Sequence, residues 1–162
     1  MSYYILIRGP AGVGKSTVSR LLSKQIKAEV IHFGEIMKSL GLDYIPGDKW
    51  IPLHKFVKAH EIKIPELKDK LASGNNLVID HNFYHKEQIE DLLKNLQFEH
   101  FIFTLKADLN ECIRRDKTRP GELGEQATKD VYELVSAFDY GISIDTNGKT
   151  PTQVVDEILH HF

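Results

Sequence analysis

Residues 9–16 read Gly9-Pro10-Ala11-Gly12-Val13-Gly14-Lys15-Ser16, and this G-x-x-x-x-G-K-[ST] run decides how the rest of the chain is read. Its flanks are those the pattern requires. Tyr3-Tyr4-Ile5-Leu6-Ile7 is a continuous apolar run with the look of a buried strand, ended by Arg8. After Gly14, the residues Val18, Leu21, Leu22 and Ile26 recur at helical spacing. Such a strand–loop–helix suits a polyphosphate. Glycines let the backbone wind closely around the anion and turn successive N–H groups inward, and the helix N-terminus adds a favourable dipole. In this cradle Gly9, Ala11, Gly12, Val13 and Gly14 supply the wrap. Lys15 reaches the β- and γ-phosphates, the Ser16 hydroxyl ligates Mg²⁺, and Thr17 contacts the α-phosphate.

Outward from the loop, short apolar runs alternate with helical periodicity. Val30–His32, Leu77–Asp80, Phe101–Leu105 and Ile142–Ile144 read as further strands. The third is followed by a helix carrying Ile89, Leu92, Leu93 and Leu96. Continuous apolar strands separated by helices imply an α/β protein with a parallel sheet covered on both faces. Asp108 with Glu111, and Thr150 with Gln153, read as capping boxes, the second with Pro151 at the first helical position. The final helix buries Val154, Val155, Ile158 and Leu159.

Residues 41–76 depart from the alternation. They hold Pro46, Gly47, Trp50 and Pro52, then two periodic stretches, Leu53–Val57 and Leu67–Leu71. The reading is a helical excursion inside a single domain over residues 1–162, with 117–125 as a polar loop between helices. Trp50, His54, Lys55, Lys58, His60 and Lys63 give the excursion a basic, aromatic-bearing surface suited to an anionic molecule, or simply a solvated helix face.

Composition excludes several classes. Of 162 residues, 41% are hydrophobic and 27% charged, and the formal net charge is −2. That balance suits a folded domain rather than a disordered chain, and it lacks the basic footprint of a duplex nucleic-acid binder. A single cysteine, Cys112, offers neither an internal disulfide nor a zinc site, which fits a reducing, cytoplasmic setting. The apolar run at residues 3–7 is too short for a signal segment, and no run approaches membrane-spanning length.

The Gly9–Ser16 loop, together with Ser143-Ile144-Asp145-Thr146-Asn147-Gly148-Lys149-Thr150-Pro151 near the end, resembles the P-loop small-molecule and nucleotide kinases: shikimate-kinase-like, gluconate-kinase-like, chloramphenicol-phosphotransferase-like and adenylate-kinase-like proteins. The resemblance implies a three-layer α/β/α fold with a five-stranded parallel sheet of order 2-3-1-4-5. It also implies an acceptor-binding region at 41–76, a lid at 117–125, and the use of ATP and Mg²⁺ on a small-molecule or nucleotide acceptor.

The same resemblance gives roles to particular residues. Glu35, after the second strand, stands near the place of an acid that orients the acceptor; a first-turn acid complementing the helix dipole is the other reading. Asp80 ends the third strand where a Walker-B-type acid lies, as a holder of the Mg²⁺ shell or as the base; a turn cap is its plainer reading. Arg114, Arg115 and Arg119 follow the fourth strand. Arg119 is assigned to the transferring phosphoryl, Arg115 to the nucleotide and Arg114 to a solvated face. Asn147 falls in the loop near the base. The catalytic set is thus Lys15, Glu35, Asp80 and Arg119.

Two classes of function remain from the sequence. One is an ATP-dependent phosphotransferase. The other is a nucleotide-binding switch, or a slow ATPase acting as an assembly factor, with no small-molecule acceptor. A GTPase lacks support: there is no N-K-x-D motif, and Asp80-His81-Asn82-Phe83 stands where D-x-x-G would follow the third strand.

Overall fold

A computed structural model describes all 162 residues. Five strands form one sheet: β1 (Tyr3–Arg8), β2 (Ala28–His32), β3 (Asn76–His81), β4 (Glu99–Lys106) and β5 (Ile142–Asp145). Their order is β2-β3-β1-β4-β5, and every pairing is parallel. The expected α/β architecture and strand order are therefore present. Every residue from Tyr4 to Arg8 is buried, because β1 lies mid-sheet with helices on both faces.

Seven helices cover the sheet: α1 (Lys15–Ile26), α2 (Phe33–Ser39), α3 (Leu53–Ala72), α4 (Lys86–Asn95), α5 (Leu109–Thr118), α6 (Glu125–Ser136) and α7 (Pro151–Leu159). Two apolar clusters result. Ile5, Ile7, Val18, Leu22, Phe103, Val154 and Ile158 fill the face under α1 and α7. Tyr4, Leu6, Phe33, Phe56, Leu67, Ile79, Ile89 and Leu92 fill the opposite face under α2, α3 and α4. Alternate residues of β1 serve opposite clusters, as a strand's period of two requires. No helix is long and apolar enough to cross a membrane.

The excursion differs from its reading in one respect. Leu53–Val57 and Leu67–Leu71 belong to a single 20-residue helix that contains Pro65. Proline removes one helical hydrogen bond. Pro65 lies on the exposed face with Glu61, so the carbonyl it deprives can bond to water. The apolar residues Phe56, Ile64, Leu67 and Leu71 keep one buried stripe on either side of it.

The two capping boxes part company. Thr150 accepts from the Gln153 amide while the Gln153 side chain accepts from the Thr150 amide, with Pro151 at the first position. At α5, Asp108 is the N-cap residue but makes no capping bond. Its carboxylate meets Asn147 instead, and Glu111 is taken by Arg114 and Arg115. Charge-assisted pairing has outcompeted the reciprocal box. Replacing Thr150 by Ala removes a working cap and should cost about 1 kcal/mol. The melting temperature should fall by about 2–4 °C; calorimetric melting of Thr150→Ala checks this.

Candidate active site

The end of β1 turns out of the sheet into residues 9–14, and α1 begins at Lys15. Gly12 and Gly14 have φ of 80° and 101°, in the region glycine alone enters freely. Gly12 also has no room for a side chain: a Cβ there would overlap the carbonyl oxygen of Cys112 on α5. Gly9 is also pressed, though less closely, since a Cβ would come within 2.9 Å of the Leu105 carbonyl oxygen and 2.8 Å of Val13 Cγ1.

This loop floors a cleft of about 1200 Å³. Ala11, Gly12, Val13, Gly14, Lys15, Ser16 and Thr17 line it, as do Glu35, Asp80, Arg115 and Arg119. The structure thus brings the sequence-assigned site residues together, with two exceptions. Gly9 lies outside the cleft, packed against β4. Asn147 turns away from it: its Oδ1 accepts from the Asp108 amide at 3.1 Å, joining the β5–α7 loop to the start of α5. Neighbouring Thr146, Gly148 and Lys149 line the cleft in its place.

Lys15 donates to the Pro10 carbonyl at 2.8 Å. Burial lowers its pKa to about 8, offset in part by the Asp80 carboxylate and reinforced by the Arg119 charge. An ammonium held this way answers to an incoming anion. Asp80 is buried and accepts from His32 Nδ1 at 2.8 Å. His81, next along β3, is packed edge-on by Phe33, Phe56 and Phe83. Burial, with the Lys15 and His60 charges, drives its pKa to about 3, so its ring is neutral. Glu35 is exposed in the first turn of α2.

The arginines after β4 differ in what holds them. Arg114 is exposed and paired with Glu111. Arg115 bonds Glu111, the Val13 carbonyl and the Thr146 hydroxyl, so it joins the phosphate loop to the β5–α7 loop. Arg119 is held by Asp116, which also accepts from the amides of Leu123 and Gly124 at 3.0 Å each. Burial alone would raise the Asp116 pKa, but those amides and Arg119 keep it below the usual range. Residues 119–124 therefore hang on one buried carboxylate.

The donor set suits magnesium. Ser16 and Asp80 both face the cleft, and Asp80 keeps one carboxylate oxygen without a protein partner. There is no group of three His, Cys, Asp or Glu side chains able to hold a metal by themselves. Mg²⁺ is commonly bound through one or two side-chain oxygens together with substrate phosphates and waters.

Sequence reasoning missed Arg8 and Asp116. Arg8 was read as the end of an apolar run, yet it is fully buried. It donates to the Phe83 carbonyl, the Thr104 hydroxyl and the Val135 carbonyl, and its guanidinium lies 4.2 Å from the Phe138 ring centroid. No local pattern marks such a residue. An arginine directly between an apolar strand and a glycine loop was the only signal.

A family model described as AAA domain matches residues 5–137. The chain belongs to this family. Among curated proteins it is 28% identical to a "Putative adenylate kinase" of Pyrococcus furiosus, over 96% of this chain and 82% of that one. It is 26% identical to a shikimate kinase of Corynebacterium efficiens, over 97% and 95%. Among solved structures, a sugar kinase from Janibacter sp. HTCC2649 superposes with a TM-score of 0.74 at 13% identity, over 99% and 94%. Family, relatives and fold together make this chain one of the P-loop kinases.

The buried ammonium has a measurable consequence. Phosphates favour charged Lys15, and the free protein holds that group near pKa 8. Above pH 8 a nucleotide must therefore bring a proton with it, and affinity should fall by up to about tenfold per pH unit. Titration calorimetry at pH 8.5 in two buffers of different ionisation heat should register proton uptake. Equal heats would contradict the assignment.

Proposed function

We propose that the protein is an ATP-dependent phosphotransferase that passes the γ-phosphate of Mg-ATP to a small-molecule acceptor. The observation that carries this reading is the single cleft in which Lys15 and the loop amides are flanked by Arg115 and Arg119 on one side and by Asp80 and Glu35 on the other. A nucleotide switch needs the phosphate cradle, but it does not need a second wall of acids.

The chemistry asked of such a site is mostly positioning and charge neutralisation. Lys15 exchanges the Pro10 carbonyl for the β- and γ-phosphates. Ser16 and Asp80 would hold Mg²⁺, which supplies charge neutralisation on the phosphate oxygens. Arg115, fixed to Val13 and Thr146, lies where the nucleotide enters, and Arg119 at the 119–124 turn reaches the transferring group. The turn itself fits a lid, and the stretch between β2 and β3 fits an acceptor-binding region.

The two acids divide by burial. Asp80 is oriented by His32 beside the phosphate loop, which supports a role near the metal and the attacking oxygen. Exposed Glu35 supports contact with the acceptor rather than with the metal.

Lys15→Ala should cut turnover by about two or more orders of magnitude with the fold intact by circular dichroism. Steady-state kinetics should then separate the acids. Asp80→Asn should lower kcat roughly 100-fold or more, and Glu35→Gln should act mainly on the acceptor's KM. Unchanged rates in both variants would remove the mechanism.

A further inference from the structure

We infer that Asp116 is a positioning residue for phosphoryl transfer, holding the Arg119 guanidinium in the free protein so that its open edge is already turned to the cleft. This rests on the kinase reading above and extends it to a residue that touches no substrate. Asp116 stands in the last turn of α5, and its side chain is 1% exposed. Arg119 closes that helix; its side chain is 45% exposed and lines the cleft. Arg119 Nε donates to Asp116 Oδ1 at 2.8 Å, and Nη2 lies 2.7 Å from the same oxygen. Nη1 has no protein partner. A guanidinium is planar, so fixing the edge that carries Nε and Nη2 also fixes the direction of the edge that carries Nη1. Lys15 lines the same cleft, and the Arg119 charge is felt at its ammonium. Arg115 differs, because its Nη1 is already taken by the Val13 carbonyl and the Thr146 hydroxyl.

Asp116 also closes the base of the 119–124 turn. It accepts from the amides of Leu123 and Gly124, and the Gly124 carbonyl accepts in turn from the amide and hydroxyl of Thr128 on α6. Closing a turn needs acceptors, which a neutral amide or hydroxyl side chain also offers. A buried full charge is costly without a counter-ion, and Arg119 is the only cation within salt-bridge distance of Asp116. The charge is thus matched to the arginine and not to the turn. A long, half-exposed side chain otherwise loses its rotamer freedom when it meets its ligand. Here that freedom is lost on folding, which is the preorganisation that electrostatic stabilisation of a transferring group requires.

The test is a double-mutant cycle on the full chain. Asp116→Asn, Arg119→Ala and the double variant are compared with the parent in calorimetric binding of Mg-ADP and of the magnesium complex of a non-hydrolysable ATP analogue. ADP release from saturating Mg-ATP, with water as acceptor, is read in parallel. Each single variant should bind the ATP analogue about tenfold more weakly, with Mg-ADP affinity unchanged. ADP release should fall about tenfold or more. The double variant should be no worse than Arg119→Ala, because Asp116 acts only through that arginine. Losses that multiply would make Asp116 an acid of the turn alone and overturn the inference. A parent-like Asp116→Asn or Arg119→Ala protein overturns it as well, with the kinase reading left standing. If circular dichroism shows that Asp116→Asn does not fold, Arg119→Lys decides. An ammonium offers no second edge, so this variant should lose the preference for the ATP analogue as Arg119→Ala does; a lysine variant that keeps the preference overturns the inference. A parent protein that binds neither nucleotide would overturn the kinase reading itself.

Discussion

The carbonyl oxygen of Cys112 occupies the space that a side chain on residue 12 would need. Much of the site follows from that close approach. The loop is caught between β4, which presses on Gly9, and α5, which presses on Gly12. With its outer surface packed, the loop presents its other side to the cleft. Arg115 then closes the contact by bonding the Val13 carbonyl from α5. The phosphate cradle and the helix that leads to residues 119–124 are therefore one packed unit.

The same packing explains the electrostatics. Lys15 emerges from this unit half-buried at the floor of the cleft, and its anchor is a neutral carbonyl. Burying a charge without a full counter-ion is costly. Asp80 offsets part of the cost through space, while Arg119 adds to it. On the proposed reading a polyphosphate would relieve this, because it would bring negative charge to the ammonium and to the arginines that line the cleft. The free site is thus held in an electrostatically unfavourable state that its ligand resolves, which is a physical basis for affinity rather than an accident of burial.

What could be read in advance was local. The phosphate loop, the five strands and the Thr150 cap are written in contiguous residues whose chemistry does not depend on distant partners. Arg8 shows the limit. By composition it ends a strand, and only the fold reveals that Phe83, Thr104 and Val135 converge on it from three elements. Asp108 and Glu111 fit a capping box on paper, but arginines one turn on and Asn147 from another element claim their carboxylates. The resemblance put Asn147 in the loop near the base, yet its side chain joins that loop to the start of α5 and does not line the cleft. In each case a partner outside the motif claimed the group.

Arg8 also bears on how the two walls of the cleft act together. Phe83 has φ of 48°, unusual for a buried aromatic residue, and its carbonyl is fixed by the Arg8 guanidinium. That bond holds the exit of β3, and with it Asp80, His81 and Asn82, in their present course. The opposite end of the same guanidinium grips Val135 near the end of α6, the helix that follows the 119–124 turn. One fully buried cation at the last residue of β1 therefore ties the acidic wall to the arginine-bearing wall, directly beneath the loop between them. A guanidinium can do this because it donates from three nitrogens in several directions within one plane, whereas an ammonium would need all three acceptors gathered around a single nitrogen. The separation of the two walls is set by that crosspiece as much as by the residues that line them.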